Sequence, residues 1–366
     1  MEDNHFMRSL KFIFSVLLSL ISVSISFAQT ENIDLIDRTY LEYVDRLPDN
    51  LTSEKSVAVL IADTRAQGEK MAVETQPVFA KSGIDAVAYY HIDDLFAGTI
   101  LSKPIANEFL KREIVQLIFL IKKASGYVVV ITPFSKDENF VKHGKKAWRM
   151  ESRDLADINN QIYRMSTKLE RKNFLISEAP EYGRFQHRVA GRRYDAYKPD
   201  LKSQKLAVPL FVPITLSEEH QNKPGYDEVA QGVKAYNKSI ALKNSEIKQA
   251  FVDYPYPHVF IEEELTEKQL RGKGFTYVLH HIHTTSNVIR DLLKYEKKQG
   301  VTDYVVVRMT GSQGEVVRIN GDVPVYKYYV RNIPGDTYFL GSKWDADYTQ
   351  MAALNNHVQL MIAQIR

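Results

Sequence analysis

The sequence predicts an α/β protein built from two related units in tandem, and three observations predict it. Short β-branched runs such as "VAVLIAD" (57–63) alternate with longer stretches whose apolar residues recur at helical spacing. The string "YVVV" occurs twice, at Tyr127–Val130 and at Tyr304–Val307. Around the two copies, three segments match in the same order with inserts of different length between them, which is the signature of an internal repeat.

The matches are specific. "KSGIDAVAYYHIDD" (81–94) sits against "GKGFTYVLHHIHTT" (272–285), with Gly83 on Gly274 and Val87 on Val278. Each "YVVV" follows a lysine pair and a turn. The third match starts at Trp148 and Trp344. Without a gap, Ala156 falls on Ala352, Asn159 on Asn355, Asn160 on Asn356 and Met165 on Met361, while Leu155/Met351, Ile158/Leu354 and Ile162/Val358 exchange one apolar residue for another.

Taken in order, residues 1–28 read as a secretory signal peptide. Arg8 and Lys11 precede the apolar run Phe12–Ile25, and Ser26-Phe27-Ala28 supplies small residues before a cut. The first unit occupies 29–178: a strand over 57–63, a helix over about 66–81 and a strand over about 85–92. "QLIFLIKK" (116–123) is ambiguous by composition. Its proposed counterpart "SNVIRDLLKYEKK" carries Val288, Leu292 and Tyr295 on one stripe, so a helix from Pro104 to about Lys123 is expected. The "YVVV" strand, a returning strand and a helix capped by Ser152 close the unit. Residues 179–226, with Pro180, Pro199, Pro209, Pro213 and Pro224, read as a basic connector that packs partly as strand at "KLAVPLFVPI". The second unit, 227–366, adds a hairpin in "GSQGEVVRINGDVPVYKYYVRNI", turned at Asn320-Gly321.

The order β-α-β-α-β-β-α, with its closing segments "WRMESRDLADINNQI" and "DYVVVRMTG … WDADYTQMAALNNHV", resembles the TolB amino-terminal-like (FlgO-like) domain family. The resemblance covers roughly 55–170 and 248–366; the first unit departs from it by having "ITPF" where a glycine follows the third strand. It implies an envelope protein that works through protein contacts, without a cofactor. The matching positions are structural, so no functional residue carries over.

Composition narrows the function classes. The chain has no cysteine, which excludes thiolate metal sites, disulfides and a lipidated cysteine at the cleavage site. A net charge of +3 gives no reason to expect a nucleic-acid partner. No P-loop, dinucleotide fingerprint, nucleophile elbow or S-x-x-K occurs. The expectation is a periplasmic or secreted protein, cleaved near Ala28, that binds or scaffolds other envelope proteins.

Two further readings stay open. A hydrolase can be built from Asp63, Asp93 and Asp94, at the carboxyl ends of the first two strands beside Arg65 and His91. It can also be built on a metal at His281 and His283, which share one face of a strand while His280 points to the other. The competing interpretations are helix caps for the carboxylates and packed strand residues for the histidines. The third reading is an anionic lipid or cell-wall polymer held by Arg184, Arg188, Arg192 and Arg193, set against an ordinary solvated connector.

Overall fold

A computed structural model describes residues 35–183, 189–296, 300–310 and 313–365. The expected signal peptide, Arg184 and Arg188 lie outside them. The architecture is mixed α/β, with two six-stranded mixed sheets.

The first unit runs β1 (Leu41–Tyr43), β2 (Lys55–Ile61), α1 (Arg65–Ser82), β3 (Asp85–His91), α2 (Ile92–Leu95), α3 (Thr99–Lys111), β4 (Ile114–Lys123), β5 (Gly126–Pro133), β6 (Lys145–Ser152) and α4 (Leu155–Ser166). Its sheet order is β1-β6-β5-β4-β2-β3. Strand β2 is buried on both faces, which explains its unbroken apolar run. Val57, Val59 and Ile61 join Ile105 and Phe109 of α3 on one side. Ala58 and Leu60 join Met71 and Phe79 of α1 and Ile158 of α4 on the other. Thr64 caps α1 by accepting from the Gln67 amide, and the left-handed Gly83 ends it.

The second unit runs β7 (Arg192–Tyr194), β8 (Leu206–Pro209), α5 (Tyr226–Ala250), β9 (His258–Ile261), α6 (Glu267–Gly272), β10 (Tyr277–Thr285), α7 (Ser286–Leu292), β11 (Asp303–Thr310), β12 (Gln313–Asn320), β13 (Pro324–Asn332), β14 (Thr337–Phe339) and α8 (Gln350–Ile365). Six of these strands form a sheet in the order β7-β14-β13-β10-β8-β9, and β11 and β12 form a separate two-stranded ribbon.

The two large sheets share one strand order and one pattern of polarity. Strands β8, β9 and β10 are mutually parallel neighbours like β2, β3 and β4; β10-β13-β14 is antiparallel like β4-β5-β6; and β7 lies parallel to β14 as β1 does to β6. Closing helices α4 and α8 carry the Asn159/Asn355 match and pack against α1 and α5 respectively.

Several sequence expectations are corrected. Residues 114–123 form strand β4, and the preceding helix stops at Lys111. The two "YVVV" strings do not correspond: the first lies in β5, inside the sheet, and the second lies in β11 of the ribbon. Segment 272–285 contains β10, whose place in the sheet matches β4, not β3. Asn320-Gly321 turns the chain between β12 and β13, which belong to different sheets, so the hairpin is β11–β12. Asp154, not Ser152, caps α4. The supposed connector supplies the edge strand β7 and the interior strand β8, so it belongs to the second sheet.

Between the units, Leu95 to Gly98 lie against β10. The His283 amide donates to the Ala97 carbonyl at 2.9 Å. A side chain at Gly98 would come within 2.7 Å of the His281 carbonyl oxygen, so only glycine allows this approach. Ala97 and Leu101 share a core with Ile282, Ile289, Val306 and Ile319 of the second unit.

Candidate functional site

Of the three candidate carboxylates, Asp94 is held most tightly. It sits in the first turn of α2, 4% exposed, and its Oδ2 accepts from Arg65 Nη1 at 3.0 Å while Oδ1 accepts from Arg65 Nη2. Thr284 of β10 donates its hydroxyl to Asp94 at 2.8 Å, so the pair is bridged to the second unit. Asp93 is half-buried on the same helical turn, and Asp63 stands exposed in the turn between β2 and α1. The structure therefore gathers Asp94, Arg65 and Thr284, with His91 alongside, and does not draw Asp63 into the group. Burial, then the Arg65 charge, pushes the His91 imidazole down to about 4, against a smaller opposing pull from Asp94.

This clamp gives a first prediction. Replacing Asp94 with Ala removes an acceptor from both Arg65 and Thr284, leaving a guanidinium partly buried without its counter-ion. A loss of about 2–3 kcal/mol in unfolding free energy is expected, with easier proteolysis at Phe96–Gly98. Urea unfolding and limited proteolysis measure both, and an unchanged midpoint would mean the clamp is only a solvated ion pair.

His281 and His283 do share one face of β10, as the alternation predicts. His283 stacks on Tyr326 of β13 with ring centroids 4.0 Å apart, and His281 meets Tyr328 and the edge of Phe211. Burial and the nearby Lys243 of α5 lower them to about 3 and about 4, respectively. Burial in turn pushes Lys243 down to about 8. His283 Nε2 is buried without a protein hydrogen-bond partner. Among the described residues no three His, Asp or Glu side chains converge in a way that could hold a metal ion. Tyrosine rings of β13 occupy the positions facing both histidines. His280, on the opposite face, stacks on Tyr329 and approaches Glu267 at 3.5 Å.

The arginine expectation divides. Arg193 donates to Asp195 at 2.7 Å and to the Leu293 carbonyl at 3.3 Å, and lies over the Tyr295 ring, so it fastens the end of α7. Arg192 is exposed at the edge strand, over Tyr194. No family model, curated protein or solved structure matches the chain.

Sequence reasoning passed over a fully buried charged group. Lys327 of β13, 0% exposed, donates to the carbonyls of Tyr328 at 2.7 Å and Leu340 at 3.3 Å and contacts Asp345. Asp345 also meets His357 of α8 at 2.8 Å, and the Tyr197 hydroxyl reaches the same imidazole at 3.1 Å. Burial alone would raise the Asp345 carboxyl, but Lys327 and His357 outweigh it and hold it below the usual carboxylate range. The signal was present: in "PVYKYYV", Lys327 shares a face with Val325 and Tyr329, so an apolar position was filled by lysine.

The surface offers a different feature. On ribbon β11–β12, Val306 and Ile319 face the core at 1% and 0% exposure, while Val305, Val307 and Val316 point outward at 57%, 47% and 70%. Val307 and Val316 are cross-strand partners. Arg308 fastens the ribbon to the buried Asp347 at 2.7 Å, and the Tyr304 hydroxyl donates to Asn287 at 2.7 Å. Among the described residues each ribbon strand pairs only with the other, so neither outer edge has a strand partner there.

Proposed function

We propose that this is an exported envelope protein that acts as a non-catalytic binding or scaffolding partner, and that its two units descend from one ancestral α/β unit. The observation that carries the binding reading is the outward valine face of the ribbon. Three exposed β-branched side chains on a two-stranded ribbon, bordered on the same face by the Arg318–Asp303 ion pair, form the kind of surface that another chain can cover. The shared strand order supports common descent of the units; Asp94 is taken up by its ion pair with Arg65, and His281 and His283 by burial against tyrosine rings. Among the described residues no helix is long and apolar enough to cross a membrane.

The test is in-cell photo-crosslinking from position 316, with mass spectrometry of the envelope fraction. A near-stoichiometric protein adduct that disappears in Val307→Lys is expected. If working controls crosslink and position 316 captures nothing, the weight moves to a soluble ligand.

A further inference from the structure

A second exposed sheet edge lies on the first unit. After α4 the chain returns along β3 as an extended strap. Arg171 donates to the carbonyl ends of α1 at Ala80 and Lys81, and Asn173 to the Glu54 and Gly83 carbonyls. Gln76 holds the Ser177 carbonyl at 2.6 Å. The strap joins β3 at one residue: the Tyr89 amide donates to Glu181, the Gly183 amide donates to Tyr89, and Tyr182 bridges Tyr89 in parallel. A side chain at Gly183 would fall 2.1 Å from the Tyr90 ring, so glycine is required where the strap closes down.

Upstream of that junction the strap stands away from the sheet. Asp85, Ala86 and Val87 form one wall of a groove of about 260 Å³, and Leu175, Ile176, Ser177, Ala179 and Glu181 form the other. Strand β3 ends the sheet order, so among the described residues no strand pairs with the outer side of Asp85–Val87, and a bulge interrupts its inner pairing with β2 at the same stretch. The groove is narrower than a typical cofactor site and suits a short backbone segment. Its lining carries two carboxylates, Asp85 and Glu181; burial raises the Asp85 carboxyl against the pull of Lys55, and Glu181 adds a smaller push in the same direction as burial. Leu175 is fully exposed at the mouth, with Phe174 beside it at 71%.

We infer that this groove receives an extended segment of a partner protein, added to the free edge of β3 as a strand and bringing a lysine or arginine to Asp85 and Glu181. The inference rests on the protein-binding reading above and specifies the chemistry of one partner segment: basic, β-prone and backbone-paired. The incoming cation relieves the repulsion between the two carboxylates, and small or β-branched neighbours fit against Ala86, Val87 and Ile176.

The probe is a capped hexapeptide of alternating threonine and valine with one central lysine, titrated into the full chain beside a twin carrying glutamate. The lysine peptide is expected to slow amide hydrogen exchange at Asp85 and Val87. It should bind roughly tenfold or more tightly than its twin, and lose that advantage in Asp85→Lys and in Glu181→Lys. Equal binding of the twins, protection confined to the ribbon, or no protection at all would overturn the inference. So would amides at Asp85 and Val87 that are already slow without peptide, because a segment of this chain would then occupy the edge. Photo-crosslinkers at Leu175 and Val316 separate the two proposals in cells. Capture from 316 alone overturns the groove and leaves the binding reading standing, whereas capture from neither overturns both.

Discussion

The protein is expected to unfold in mild acid, with its midpoint above pH 4. His91, His281 and His283 have imidazoles lowered to about 4, about 4 and about 3, in each case chiefly by burial. Their unfolded value is 6.5, so between pH 6.5 and these values the unfolded chain holds protons that the folded chain does not. Stability therefore rises with pH across that window and falls as pH drops below 6.5. Each histidine contributes a slope of up to about 1.4 kcal/mol per pH unit, or roughly 3 kcal/mol lost by pH 4. Asp345 and Glu267, both held below the ordinary carboxylate range, add to the loss at the acid end, whereas Asp85 and Glu246, both raised, act in the opposite sense. Three such losses are comparable with the whole stability of a typical domain. Urea midpoints measured from pH 7 to pH 4 give the slope directly. The double replacement His281→Phe, His283→Phe should flatten it, since rings packed against Tyr326 and Tyr328 do not need nitrogen. A pH-independent midpoint in the unaltered protein would show that these imidazoles are open to solvent.

The second large effect is expected at Lys327. Its three ammonium hydrogens are met by the Tyr328 and Leu340 carbonyls and by Asp345, with none of the side chain exposed. Asp345→Ala strands that charge inside the protein and should cost about 3–5 kcal/mol. Adding Lys327→Met to the same chain removes the stranded charge, so the double variant should be more stable than Asp345→Ala alone. That rescue is the informative result: it separates an electrostatic cost from a cavity left by the lost carboxylate. Denaturant unfolding of the two single variants and the double gives the coupling, and simple additivity would mean that Lys327 reaches water when Asp345 is removed.

How much of this was legible in the sequence depended on how local the cause was. Helix α1 could be read nearly to its ends, because its start and stop lie in its own residues, Thr64 and Gly83. The parity of the β10 histidines was equally local. Strand β4 was misread because residues 117–121 are buried on both faces, and a strand without alternation gives no period to distinguish it from a helix. The borrowed comparison with 286–298 compounded this, since that segment follows β10 and the place of β4 in the sheet is taken by β10 itself. At the candidate site, Asp94 could be picked out as a strand-end carboxylate, but its partner Thr284 lies 190 residues away. Likewise, Tyr326 faces His283 through a strand register that is decided only when the chain folds. Lys327 gave no local sign of its role, because its partners Asp345 and the Leu340 carbonyl reach it only in the folded chain.

The ribbon also bears on how this gene can change. In the first unit α3 covers one face of the sheet, whereas only the short α6 joins β9 to β10 in the second. There, α7 and the inner face of the ribbon supply cover through Ile289, Leu292, Val306 and Ile319, together with Ala97 and Leu101 from the other unit. Neighbouring residues of a single strand are thus under unlike selection. Val306 is tied to a core that both units depend on, while Val305 and Val307 on either side of it can be altered with little effect on the fold. On the binding reading proposed above, a lineage could therefore change what the outer face recognises one valine at a time while keeping the scaffold.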